Sequence, residues 1–181
     1  MVLTKPVTVE ELEQYAGDER YELIQGELVP MSPTSHLHGV LVFRLAMYLG
    51  NYIDQRRSGT AAAGEPGVVI ERDPDTVLAP DAFVMLSASG SLADTPPGFA
   101  RTMPDLVVEV FSDSDRWPQA RRKIALYFAA GIPHAWIVHP TDRSVAWMRA
   151  DGRQTILTGS EVLDGGDLLP GFRLPLDTLF R

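Results

Sequence analysis

The sequence predicts an α/β protein of the α+β kind, with a mixed sheet flanked by helices, and three observations predict it. Apolar residues recur at helical spacing from residue 36 to about residue 56. Asp105-Leu106-Val107-Val108-Glu109-Val110-Phe111 is apolar on both faces apart from its two acids, as in a central strand covered on both sides. Short strand-like runs separated by turns fill the remainder, so strands and helices are interspersed. At 181 residues the chain suits one domain spanning 1–181, long enough to bury a core without staples.

Taken in order, Thr8 and Glu11 have capping-box spacing, Leu12 and Tyr15 supply a small apolar stripe, and Gly17 is a stop, which together predict a short opening helix. Residues 21–24 and 27–31 read as two strands turning at Gln25-Gly26, a hairpin. Ser32-Pro33-Thr34-Ser35 breaks the chain and offers Ser35 as an N-cap. The long helix follows, with Leu37, Leu41, Leu45, Tyr48, Leu49 and Tyr52 on its apolar stripe.

After Gly59 the pattern turns to strand, with Val68-Val69-Ile70, a turn at Asp73-Pro74-Asp75, and a run over 77–86 through Pro80-Asp81. Residues 87–103, including Pro96-Pro97-Gly98, lack periodicity and read as a long loop of the kind used for lids or binding. The central strand over 104–112 comes next. Asp113-Ser114-Asp115 is rich in caps, Pro118 suits a first helical turn, and Trp117, Ala120, Ile124, Tyr127 and Phe128 share a face up to Gly131, giving a second core helix. Residues 135–138, 144–148 and 154–157 read as strands, and the tail from Leu168 as irregular packing.

The composition narrows function. With no cysteine, disulfides, thiolate nucleophiles and Cys-ligated metal sites are excluded. No signal-peptide pattern and no apolar run of membrane-spanning length occurs, so the expectation is a cytoplasmic protein without a membrane partner. A formal net charge of −8 argues against a protein that coats nucleic acid. Locally, however, Arg116, Arg121, Arg122 and Lys123 outnumber Asp113 and Asp115. No HExxH, phosphate-binding glycine loop or GxSxG elbow is present.

Glu109 is the residue that most needs a partner, because an ionised carboxylate inside an apolar strand loses hydration that the interior does not replace. A divalent cation meets that need, since Mg²⁺ takes one or two carboxylates and keeps several waters; an arginine ion pair or a place at the sheet edge is the alternative. Asp81, after Pro80, is by itself as much a turn residue as a ligand. Two acids entering adjacent strands, though, converge within the ~5 Å strand spacing and can share a cation. Lys123 lies at the border of the second helix's buried face, either as a snorkelling surface lysine or as a cation that neutralises charge at a phosphodiester. His36 and His38 have i, i+2 spacing and lie on different helical faces; His38 either points singly into a site or bonds at the helix start. His134 and His139 flank the strand of Trp136.

The sequence resembles the Uma-two family, described as restriction endonucleases within the PD-(D/E)XK nuclease superfamily. The resemblance rests on Arg20-Tyr21-Glu22-Leu23-Ile24-Gln25-Gly26-Glu27-Leu28-Val29, Ser32-Pro33 with His38, Pro80-Asp81, residues 104–112, Lys123 with Tyr127, Gly131-Ile132-Pro133 and Trp136-Ile137-Val138. It implies a restriction-endonuclease-like αβββαβ core, preceded by the helix and hairpin and followed by a β extension. Asp81 becomes the aspartate of the second core strand and Glu109 the acid of the third, both holding Mg²⁺ or Mn²⁺. The superfamily's lysine sits two residues after that acid, where this sequence has Phe111, so Lys123 on the following helix takes the role. Glu22 or Glu27 offers a further acid, while Arg122 and His139 replace acids common in relatives.

The resemblance thus implies metal-assisted phosphodiester hydrolysis, with DNA as substrate and a homodimer as the form that cuts both strands. Its rival is a non-catalytic protein of the same fold that binds DNA or another protein, a reading to which Phe111 and the acidic charge lean. A carboxylate-pair glycosidase has no aromatic-lined groove in the sequence to support it.

Overall fold

Strong β-formers at 21–30, 68–78 and 106–110 and amphipathic runs at 36–56 and 117–129 set the architecture of the computed structural model, which describes residues 5–15, 19–87, 95, 97–111 and 117–181. The opening helix α1 (Val9–Glu13) forms where the capping box does: Thr8 Oγ1 accepts from Glu11 N–H, and Glu11 accepts from Thr8 N–H. Val9 and Leu12 are its buried residues, whereas Tyr15 lies past its end, exposed and edge-on to Tyr21. Gly17, Asp113-Ser114-Asp115 and Arg116 fall outside the described residues, as do part of the 87–103 loop and the side chains of Trp117 and Pro118.

The hairpin is β1 (Tyr21–Ile24) with β2 (Glu27–Pro30), and Gln25 and Gly26 both take positive φ, the backbone a two-residue turn of primed type requires. A Cβ at Gly26 would stand 2.4 Å from Pro6, so glycine is needed for close approach as well. The long helix α2 (His36–Arg56) is capped by Ser35, whose Oγ accepts from His38 N–H. Its buried residues are His38, Leu41, Leu45, Leu49 and Ile53. Leu37 is exposed, so the buried stripe begins one residue later than periodicity placed it, on His38.

Two strands depart from expectation. Residues of β3 (Gly59–Ala63) carry little β propensity, yet they pair antiparallel with β6 (Ala82–Leu86) at the margin of the central sheet. The run over 77–86 is not continuous: β5 (Thr76–Leu78) belongs to one sheet and β6 to another, and Ala79-Pro80-Asp81 crosses between them. Proline's missing N–H makes this the natural break. With β4 (Val68–Glu71), the smaller sheet runs β2-β1-β5-β4, all antiparallel, and α1 packs on it through Val9, Leu12, Leu23, Val69 and Val77.

The larger sheet has the order β10-β9-β8-β7-β6-β3, with β7 (Leu106–Val110), β8 (His134–His139), β9 (Ser144–Arg149) and β10 (Gln154–Leu157). Only β7 and β8 are parallel, joined by α3 (Trp117–Ala129). In chain order α2, β3, β6, β7, α3 and β8 make the αβββαβ unit, its first strand being β3 rather than Val68-Val69-Ile70. Every residue of β7 is buried, and they alternate between two cores. Leu106, Val108 and Val110 face α2 and the C-terminal segment; Val107 faces Ile124 and Tyr127 of α3.

The tail is more ordered than its prolines and glycines suggest. Its β12 (Arg173–Pro175) pairs with β11 (Val162–Asp164), just upstream, and leads into the short α4 (Leu176–Leu179); Leu163 on β11 and Leu169, Phe172, Leu174, Leu176 and Leu179 of the tail are buried in the α2-side core. Leu174→Ala is therefore expected to destabilise the fold by about 2–5 kcal/mol. Urea unfolding measures it, and a loss well under about 1 kcal/mol would show the tail to be a mere appendage. Among the described residues no helix is long and apolar enough to cross a membrane.

Candidate metal centre

The antiparallel register pairs Ala82 with Val108, so one step further Asp81 stands opposite Glu109. Both side chains are buried: Asp81 is 5% exposed and Glu109 7%. Asp81 is held by donors from two elements. Val110 N–H donates to Oδ2 at 2.6 Å, and His38 Nε2 lies 3.1 Å from Oδ1 and 3.2 Å from Oδ2. An ionised carboxylate only accepts, so the imidazole supplies that hydrogen. His38 thus does both things its position allowed: its backbone takes the Ser35 cap and its ring enters the site.

Glu109 points to the α3 side. Its Oε1 accepts from Tyr127 O–H at 2.7 Å and from Lys123 Nζ at 2.9 Å, two residues one helical turn apart on α3. Lys123 also reaches Ala79 O at 2.9 Å and Glu22 Oε1 at 2.8 Å. Glu22 Oε1 in turn accepts from Ala79 N–H at 2.8 Å. The snorkelling alternative for Lys123 does not hold, because its ammonium points inward.

These environments shift proton affinities. Burial raises the Glu109 pKa to about 7; Asp81 adds to the rise, and Lys123 and the Tyr127 hydroxyl oppose it. Burial pulls Lys123 toward its neutral form, but Glu109 and Glu22 outweigh it and keep the ammonium charged beyond the usual lysine range. Burial, with Glu109 next, holds the Tyr127 phenol well above its ordinary value, so it remains a donor.

The donor set fits a hard divalent cation. Glu22, Asp81 and Glu109 bring three carboxyl groups against the single ammonium of Lys123, an imbalance that a 2+ ion offsets. Among the described residues no group of three or more His, Cys, Asp or Glu side chains is placed to hold a metal ion. A pair of carboxylates such as Asp81 and Glu109 is the donor chemistry that Mg²⁺ or Mn²⁺ takes, with waters in its remaining positions.

The structure therefore brings Asp81, Glu109 and Lys123 together, with His38 beside them. It leaves Glu27 exposed on β2 and His36 and Arg122 exposed on their helices. Phe111 lies edge-on to the His139 ring at 5.1 Å and against the α3-side core. Tyr127 was not singled out from sequence as a site member, and of the two further acids the resemblance offers it is Glu22, not Glu27, that reaches Lys123. Glu22 carried a usable signal: in β1 it sits between Tyr21 and Leu23, an acid inside an apolar strand, the pattern that exposed Glu109.

No match was found among curated proteins. Of the solved structures similar to the chain, one is described as "Crystal structure of a putative nuclease belonging to DUF820 from Anabaena variabilis ATCC 29413". It superimposes with a TM-score of 0.79 over 97% of this chain and 98% of that one, at 16% sequence identity, a likeness of fold. The family Uma2, described as "Putative restriction endonuclease", matches residues 9–177, and the chain belongs to that family.

Proposed function

We propose that the protein is a metal-dependent endonuclease hydrolysing phosphodiester bonds in DNA, with Asp81 and Glu109 as metal ligands and Lys123 as the catalytic cation. The observation that supports this best is the burial of Asp81 and Glu109 side by side on adjacent strands with the Lys123 ammonium 2.9 Å from Glu109. Mg²⁺ or Mn²⁺, when bound there, supplies Lewis acidity toward the phosphate and a bound water of lowered pKa. The chain's own groups do the rest. His38 and the Val110 N–H fix the Asp81 carboxylate, Tyr127 fixes Glu109, and Lys123 brings positive charge to where the phosphate's negative charge builds up.

The same reading makes the protein a single domain, cytoplasmic, and a homodimer in which two sites serve two strands. In support of the last, β10 is the outer strand of its sheet and Ile156 on it is exposed. The test is calorimetric titration with Mn²⁺ alongside nicking of supercoiled plasmid, with light scattering for the mass in solution. Mn²⁺ binding, metal-dependent nicking and twice the chain mass are expected. Absence of both binding and nicking would leave the second reading.

That second reading is a non-catalytic module for DNA or protein binding, and one observation favours it. The three hydrogens of the Lys123 ammonium match three internal acceptors, Ala79 O, Glu22 and Glu109, so orienting a water costs one of these bonds.

A further inference from the structure

Ala79-Pro80-Asp81 leaves one sheet and enters another, lying outside both β5 and β6, yet Ala79 and Pro80 are buried. Buried peptide groups need partners of some kind. For Ala79 they come from two side chains: Glu22 Oε1 accepts its N–H at 2.8 Å, and Lys123 Nζ donates to its carbonyl at 2.9 Å. Glu22 and Lys123 also pair with each other at 2.8 Å, closing a ring around the backbone of one residue. Two residues further on stands Asp81, whose own carbonyl accepts from Gly64 N–H at 3.0 Å.

We infer that Glu22 is a positioning residue for this site: from the small sheet it clamps the Ala79 peptide and the Lys123 ammonium together, and so sets where Asp81 stands relative to Glu109. Its effect on cleavage rests on the function proposed above; its effect on Asp81 does not. Glu22 is suited to this because β1 presents Leu23 to the α1 core and Glu22 to the opposite side, toward α3. A carboxylate at this point does two things. It satisfies the Ala79 N–H, and it shares the charge of Lys123 so that the ammonium is held between two acids rather than collapsed onto Glu109 alone. The small sheet is in this sense part of the site's scaffold.

Val110 N–H, which donates to Asp81 Oδ2 at 2.6 Å, is a built-in reporter of Asp81's position. In Glu22→Ala the Val110 amide resonance is expected to move upfield and to exchange at least about tenfold faster, while the amides of Leu106 and Val108 on the same strand keep their protection. Glu22→Gln retains an oxygen for the Ala79 N–H and is expected to show a smaller shift. In cleavage assays with Mn²⁺, Glu22→Ala is expected to lower kcat by about tenfold to a hundredfold with KM little changed, as supporting partners of a metal site do. A Val110 amide unaltered in a folded Glu22→Ala variant overturns the proposal, as does loss of protection spread evenly over β7, the mark of a merely structural role. If the wild-type protein neither binds Mn²⁺ nor cuts DNA, the proposed function fails while the Val110 amide still decides this inference.

Discussion

Asp81→Asn and Glu109→Gln are each expected to lower Mn²⁺-dependent nicking by at least about a hundredfold, the scale seen when one preorganised electrostatic contributor is taken from an active site. The substitutions keep volume and remove charge, so the effect reads the electrostatics of the pair rather than a cavity. In Asp81→Asn the side chain faces two donors, Val110 N–H and His38, with only one oxygen to accept. The amide nitrogen must turn toward one of them, or the imidazole must change tautomer. In Glu109→Gln the amide oxygen still accepts from Tyr127 and Lys123, so the fold persists and the charge alone is lost. Circular dichroism checks the fold and plasmid nicking the activity. Cleavage at the wild-type rate in both variants would sink the assignment of this pair.

The residues differ in how plainly their sequence context declared them. Glu109 was legible because solvation alone singles out an acid in the run Leu106-Val107-Val108-Glu109-Val110. The α2 helix was legible from periodicity, and the Gln25-Gly26 turn from its chemistry. By contrast β3, Gly-Thr-Ala-Ala-Ala, has no strand signature of its own; its conformation comes from the partner backbone of β6, which propensity does not see. The crossing at Ala79-Pro80-Asp81 was marked by proline, but local sequence cannot say that the chain changes sheets there. The tail from Leu168 reads as irregular for a related reason, since its turn residues mask a buried set including Leu169, Phe172 and Leu174. Glu22 reaches Lys123, and Tyr127 reaches Glu109, across separate elements, and only tertiary placement reveals what they touch.

Cation binding is expected to release a proton at acid pH. With its pKa raised to about 7, Glu109 is mostly protonated at pH 6 and mostly ionised at pH 8. A metal ligand must be the carboxylate, so calorimetry of Mn²⁺ binding in two buffers of unlike ionisation enthalpy should show about one proton released at pH 6 and close to none at pH 8. Affinity should fall about tenfold for each pH unit below 7. The metal-free fold responds with the opposite sign. A carboxyl whose folded-state pKa is raised binds its proton more tightly than the unfolded chain does, so its contribution to stability is full below the usual carboxylate range and is lost as pH rises through about 7. The cation is thus expected to gain its grip over the interval in which Glu109 ionises, so metal binding and folding should reinforce each other above pH 7. Absence of proton release at pH 6 would mean that Lys123 and Tyr127 already hold Glu109 ionised, and the site would then bind its cation with no dependence on Glu109 protonation.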